Sequence, residues 1–269
     1  MFDLNAIRAA EATLQGRLRH TELIHSHYFS ERLGYPLFFK CENLQRTGSF
    51  KIRGALNFLD NQPAERLQNG LITASAGNHA QGVALAARRR GVDAVIVMPV
   101  TTPSIKVDAV RALGGDVVLH GDNYDDAYAH ARELEKEHGY YFVHPFDDPD
   151  VIAGQGTIGL EILEQAKSEI DAVFVPVGGG GLIAGIAAAI KAVRPDIRII
   201  GVEPEDSAAM QASLQAGHPV TLDHVGIFAD GVAVRRVPSR TNLQSNGHIN
   251  SRDDGVKDLP DKHFILQQR

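Results

Sequence analysis

The chain is poor in the features that mark several large protein classes. Its one cysteine, Cys41, rules out an internal disulfide and any cysteine-rich metal centre, so no metal is expected. Long apolar runs are missing as well. Nothing reaches the roughly 18 uncharged apolar residues of a membrane helix, and Met1 to Arg19 lacks the apolar core of a signal peptide. The expectation is a cytoplasmic protein with no membrane partner. Basic runs are short in a chain of formal net charge −6. The densest, Arg88-Arg89-Arg90, falls where a helix would end and complements the helix dipole rather than gripping nucleic acid. No repeat of fixed period is visible, which argues against a solenoid. What is there is 43% hydrophobic and 22% charged over 269 residues, enough for the core of one large domain or two modest ones.

From residue 71 onward, short β-rich runs alternate with helical stretches. The pattern predicts strands at Leu71–Ala74, Ala94–Met98, Asp116–Leu119, Tyr140–Val143, Ala172–Val175 and Arg198–Val202. Between them it predicts helices at Asn78–Arg90, Ser104–Leu113, Tyr124–Glu137, Ile158–Glu169 and Leu182–Val193. Unbroken apolar strands between helices are the mark of α/β proteins with parallel sheets covered on both faces. Two such runs, about 54–150 and 151–235, suggest two α/β units with a ligand cleft between them. From Val237 to Arg269 only 8 of 33 residues are apolar, without helical or strand period, so this tail is expected to stay outside the core.

Three segments carry chemistry. In Val173 to Leu182 an apolar strand runs into Gly178-Gly179-Gly180-Gly181, and an Ala- and Ile-rich helix begins at once. Glycines let backbone N–H groups curl around an anion, and the helix N-terminus adds unpaired donors. A tight turn for helix–strand packing would need one glycine, not four. The loop alone leaves the cofactor open: Gly179 to Ala184 also fits the dinucleotide pattern, with Glu203 about 20 residues on as a ribose-binding acid. In the second segment Lys51 lies between Phe50 and Ile52. A lysine amine taken out of water loses its proton more readily and becomes a nucleophile, although a lone lysine is usually a solvated side chain. In the third, Thr73 to Gly82, a strand meets the small-residue turn Ser75-Ala76-Gly77 and a helix with Asn78 at its mouth. This makes a second anion site suited to a carboxylate, unless Ser75 or Asn78 is simply a helix cap. His79 reads as structural.

Together these segments resemble one family. Gly48 to Ala55, Ser75 to His79 and Gly178 to Leu182 are similar to the three motifs of the threonine and serine dehydratases, tryptophan-synthase-like pyridoxal-phosphate enzymes of fold type II. Glu42 to Gln45 and Ala229 to Val232 extend the likeness, which runs from Thr21 to Arg235 and displaces the dinucleotide reading. The resemblance implies two open, mostly parallel twisted sheets with helices on both faces and pyridoxal 5'-phosphate in the cleft between domains. Lys51 would form the Schiff base and act as general base, and Phe50 would pack beside the cofactor ring. Asn78 would hydrogen-bond the ring hydroxyl, Ser75, Ala76 and Gly77 would receive the substrate carboxylate, and Gly178, Gly179, Gly180, Gly181 and Leu182 would cradle the phosphate. The implied activity is a lyase of amino-acid metabolism (isoleucine biosynthesis) that eliminates the β-hydroxyl of threonine or serine to give 2-oxobutanoate or pyruvate and ammonia. A small-molecule amino-acid substrate and a homo-oligomer, dimer or tetramer, go with it.

Position 76 separates close relatives. Serine racemases carry a second hydroxyl before the glycine of this turn; Ala76 cannot deliver a proton, so elimination is favoured over a racemase-like activity. The likeness stops at Arg235. The expected domains are therefore 1–53 plus 151–235 (large, cofactor-binding, incomplete), 54–150 (small), and a divergent, poorly ordered tail over 236–269. No residue is assigned to the pyridine nitrogen; Ser239 and Ser245 become candidates only if the tail folds. A cofactor-binding relative with little turnover stays open as the alternative.

Overall fold

The computed structural model describes residues 3–226, 229–237 and 264–267. Ten α-helices occur among them. They are α1 (Leu4–Leu14), α2 (His27–Leu33), α3 (Lys51–Asn61), α4 (Ala64–Leu67), α5 (Asn78–Arg90), α6 (Ser104–Ala112), α7 (Tyr124–His138), α8 (Pro149–Gln165), α9 (Gly181–Val193) and α10 (Ala209–Ala216). The nine strands are β1 (Leu23–His25), β2 (Leu37–Lys40), β3 (Leu71–Ala74), β4 (Ala94–Met98), β5 (Asp116–Leu119), β6 (Tyr141–Phe142), β7 (Ala172–Pro176), β8 (Arg198–Val202) and β9 (Phe264–Gln267).

The strands form two sheets. One has the order β5-β4-β3-β6 and is wholly parallel; the other runs β1-β2-β9-β7-β8, with only β1 antiparallel. β3 and β4 are buried along their whole length, because helices cover both faces. Leu71 and Ile96 pack with Ala80 and Val83 of α5, while Ile72 and Val95, which point the other way, pack with Ala127 and Ala131 of α7. Period-two alternation thus separates two cores across one sheet. In the other sheet Val173 and Val175 pack with Ile183 and Ile186 of α9.

Three expectations are corrected. Helix α8 starts at Pro149, not near residue 158. Asp148 caps it by accepting from the N–H groups of Asp150 (2.8 Å) and Val151 (3.2 Å), with Pro149 in the first turn. Gly154 and Gly156 hid this half of the helix, and Gly159 follows in the next turn. They are there for contact: a Cβ on Gly154 would lie 2.7 Å from the Arg53 carbonyl oxygen, and one on Gly159 2.9 Å from the Cβ of Ala189. The sequence pattern also left the first 70 residues without elements, yet they contribute α1 to α4, β1 and β2. The third correction concerns the tail. Val237 is 3% exposed in the same core as Val173, and residues 264–267 form β9 between β2 and β7. The short apolar run Phe264-Ile265-Leu266 was the available signal. Ser239 and Ser245 lie outside the described residues.

Glycine on α9 is as constrained as on α8. A Cβ on Gly185 would stand 2.5 Å from the Ile152 carbonyl oxygen and 2.7 Å from the Gly156 nitrogen. Both are backbone atoms and cannot swing aside. Gly185→Ala should therefore cost about 1–3 kcal/mol of stability as the helices are pushed apart, read as a lower urea midpoint at unchanged slope.

Candidate active site

Every segment with chemical potential follows the carboxyl end of a parallel strand, where open α/β sheets place their ligand sites. Lys51 follows β2 through the short turn 41–50 and opens α3; the Ser75–Gly77 turn follows β3; the four glycines follow β7. Lys51 sits at a seam. Its neighbour Ile52 is fully buried among the α5 residues Ala80 and Val83, whereas Phe50 packs against the cluster of β7 and α9. The chain is thus pinned on both sides of the amine by different cores.

The Lys51 Nζ donates to the Pro145 carbonyl oxygen (2.9 Å) and lies 5.4 Å from the centre of the Phe50 ring and 6.0 Å from that of Phe146. Burial lowers its pKa to about 8, since the charged form loses its hydration. A sizeable neutral fraction therefore exists near pH 7–8, which a nucleophilic amine needs.

Gly180 caps α9 in the left-handed conformation (φ 88°) that glycine adopts without strain. Among the described residues no acceptor takes the N–H groups of Gly178 to Ile183. They form an open row of donors at a helix N-terminus, the usual recipe for an anion site. The Ser75 turn is a second such cup. Gly77 caps α5 without a side-chain bond, and the Ser75 hydroxyl accepts from the Gly77 N–H (3.2 Å), so neither Ser75 nor Asn78 serves as the N-cap. A Cβ on Gly77 would meet nothing within 4 Å, and the Asn78 amide carries no bond among the described residues. Gly82, one turn further along α5, lies against the backbone of Lys51: its Cβ would be 3.2 Å from Lys51 C and Ile52 N. Small residues thus bring the Ser75 turn close to the amine.

Sequence reasoning missed the strap that joins these parts. Residues 143–147 leave β6 and cross the site. The Val143 carbonyl oxygen accepts from Thr73 Oγ1 (2.9 Å) and from His79 Nε2 (3.1 Å). Burial, then repulsion by Lys51, lowers the His79 pKa to about 3, so its ring is neutral with the proton on Nε2. His144 Nδ1 accepts from the N–H groups of Phe146 and Asp147. The Phe146 ring lies on Gly179, where a Cβ would come within 2.3 Å of it. Carbonyl acceptors leave no trace in a sequence.

Behind the amine lies a buried ion cluster. Arg53 donates to both carboxylate oxygens of Glu42 (2.7 and 2.8 Å), both of Glu161 (2.6 and 2.9 Å) and to Thr157 (3.1 Å); Lys40 reaches Glu161 and the Thr21 carbonyl oxygen. This ties β2, the turn after it, α3 and α8 to one point two residues from Lys51. Glu203 plays no comparable part. Its oxygens accept from the N–H groups of Met210 and Gln211 (2.9 Å each), so it caps α10 and is not open to a ribose.

The residues present fit pyridoxal phosphate: a dehydrated amine for its aldehyde, an open donor row for its phosphate, and a second cup beside them. The buried Ser49 hydroxyl, two residues from Lys51, also has no partner among the described residues. Among those residues no group of three or more His, Cys, Asp or Glu could hold a metal, and no helix is long and apolar enough to cross a membrane.

Similarity to known proteins agrees with this geometry. Residues 14–257 match the family model of the pyridoxal-phosphate dependent enzymes. The L-threonine ammonia-lyase of Geobacter sulfurreducens is 55% identical over 236 residues, 88% of this chain and 58% of that relative; this chain therefore spans less than two thirds of its length. The structure of processed threonine deaminase isoform 2 from Solanum lycopersicum superposes with a TM-score of 0.89 at 43% identity, covering 98% of this chain and 82% of that one. Maize serine racemase follows at 0.86 and 36%, covering 99% and 77%. The chain belongs to the pyridoxal-phosphate dependent enzyme family, in the fold of the threonine deaminases.

Proposed function

We propose that this chain eliminates the β-hydroxyl of threonine, and of serine, yielding ammonia with 2-oxobutanoate or pyruvate. The observation that carries the reading is the Lys51 amine, depressed to about 8 and set beside two open helix N-termini. In this reading residues 54–150 are the small domain and 1–53 with 151–235 the large one, with the cofactor between them.

Pyridoxal phosphate, when bound, supplies an electron sink for charge developing at the substrate Cα. The protein does the rest. Gly178 to Leu182 would hold the phosphate through backbone N–H groups, each charge-assisted bond contributing about 1.5–3 kcal/mol. Phe50 would flank the ring and Asn78 would bond its hydroxyl. The Ser75–Gly77 turn receives the substrate carboxylate and so orients the Cα–H bond. Lys51 would anchor the cofactor, and its Nζ, when free, would take the Cα proton as general base. The Pro145 carbonyl holds that amine in place beside the Phe50 ring. Ala76 has no proton to give, which supports elimination over racemisation.

With pyridoxal phosphate and threonine, the purified chain should release 2-oxo acid and ammonia in equal amounts. Cofactor uptake without release from threonine or serine would instead identify a binding relative, and D-serine formation from L-serine a racemase.

A further inference from the structure

The strap over residues 143–147 contains one side chain for which the proposed chemistry gives no account of its own. The Phe146 ring meets Gly179 on one side and lies 6.0 Å from the Lys51 amine, and its own carbonyl oxygen would stand 2.5 Å from a Cβ on Gly181. The same five residues hold the amine through Pro145 and His79 through Val143. Three separate parts of the site therefore meet at one strap, whose half-buried Phe146 ring stands between the amine and the glycine loop.

We propose that Phe146 is a positioning residue for Lys51: with Phe50 it walls the slot that holds the amine, keeps water out of it, and ties that slot to the glycine loop. The proposal rests on the reading of Lys51 as the cofactor lysine and assigns the desolvation of its amine to a second, distant residue. Burial is the one cause that acts on the amine; His79 on α5, which feels its charge, is held neutral, and the strap itself carries His144 and Asp147. With no counter-charge involved, exclusion of water is what sets the state of the amine, and the two rings are the groups that exclude it. A phenyl ring can do this because it covers a large area with two rotatable bonds.

The test reads the amine directly and needs neither cofactor nor turnover. Trace acetylation of the full chain over a pH series, with mass spectrometry of the Lys51 peptide, reports the fraction of free amine. The parent should be half-reactive near pH 8. Phe146→Ala should move the midpoint toward the ordinary lysine value by a unit or more, giving roughly fivefold less labelling or below at pH 8. Phe146→Leu, still apolar, should stay close to the parent. If Phe146→Ala fails to fold, Phe146→Gln, of similar reach but polar, should show the same shift. Folded Ala or Gln variants that label like the parent would overturn the proposal. Failure of borohydride to fix pyridoxal phosphate at Lys51 would instead overturn the functional reading while leaving the labelling result intact, so the two failures are told apart.

Discussion

Lys51→Ala should release no measurable 2-oxo acid, and borohydride should leave no pyridoxal phosphate fixed to the protein. The substitution removes the anchor and the base together. A positioned general base alone is worth about 10²–10⁴-fold, so loss of both should exceed about 10⁴-fold in kcat. Lys51→Arg should be nearly as damaging, since a guanidinium stays charged and cannot act as the amine does. Stability should move the other way. A lysine whose folded pKa is depressed opposes folding at any pH where the unfolded chain would be protonated. That deficit is complete below about pH 8 and disappears only above the ordinary lysine value. Lys51→Met, which keeps the apolar stem, should therefore be more stable than the parent at pH 7, by on the order of 2 kcal/mol in urea melts. Turnover within tenfold of the parent, or reduced cofactor mapped to Lys40 or Lys106, would remove Lys51 from its role.

The second large effect lies in the buried cluster. Burial opposes the charge on Arg53, yet Glu42 and Glu161 overcome this and keep it protonated. Burial also pushes Glu161 upward, but the bonds from Arg53 and the charges of Arg53 and Lys40 hold its carboxyl below the usual range. For Lys40, with one carboxylate partner, burial wins and the amine is lowered. Arg53→Leu leaves two carboxylates in the interior without their main cation and should cost about 3–5 kcal/mol at pH 7. A depressed carboxylate contributes stability above its unfolded pKa and loses it as pH falls through the folded value. In the variant Glu161, buried without its main cation, escapes the penalty by taking up a proton, so the deficit should shrink as pH approaches 5. A deficit that is equal at pH 5 and pH 7 would show lost packing alone. Because the cluster fixes the first turn of α3, cofactor capture by Lys51 should weaken even where the protein remains folded.

Much of the site is legible in the sequence because it is built from local backbone geometry. A strand, a run of small residues and a helix specify a donor cup at Gly178 to Leu182 and at Ser75 to Asn78, wherever the rest of the chain goes. The seam at Lys51 is half-legible: its apolar neighbours are adjacent in sequence, but Phe50 and Ile52 entering different cores is a tertiary fact. The strap and the ion cluster are not legible at all. Pro145 is 94 residues from the lysine it holds, and Glu161 is 121 residues from Lys40. A backbone carbonyl has no residue type, and Glu161 reads as an ordinary surface position on a helix. The glycines of α8 misled for a related reason, since low helix propensity is visible locally while the close contact that repays it is not.

The place of β9 has a consequence in time. Its register sets Leu37 beside Phe264 and Ala172 beside the same residue, so an early strand and a later one are both paired through a segment made after either of them. Until that segment arrives, β2 and β7 each present an open hydrogen-bonding edge to the surroundings. Pairings of such long sequence separation form slowly, because the chain entropy is lost before the contacts compensate for it. The β5-β4-β3-β6 sheet uses only residues 71–142 and can close first. The refolding chain should therefore pass through a state with one finished sheet and one sticky one, and low concentration or a chaperone that shields strand edges should raise the yield of native protein.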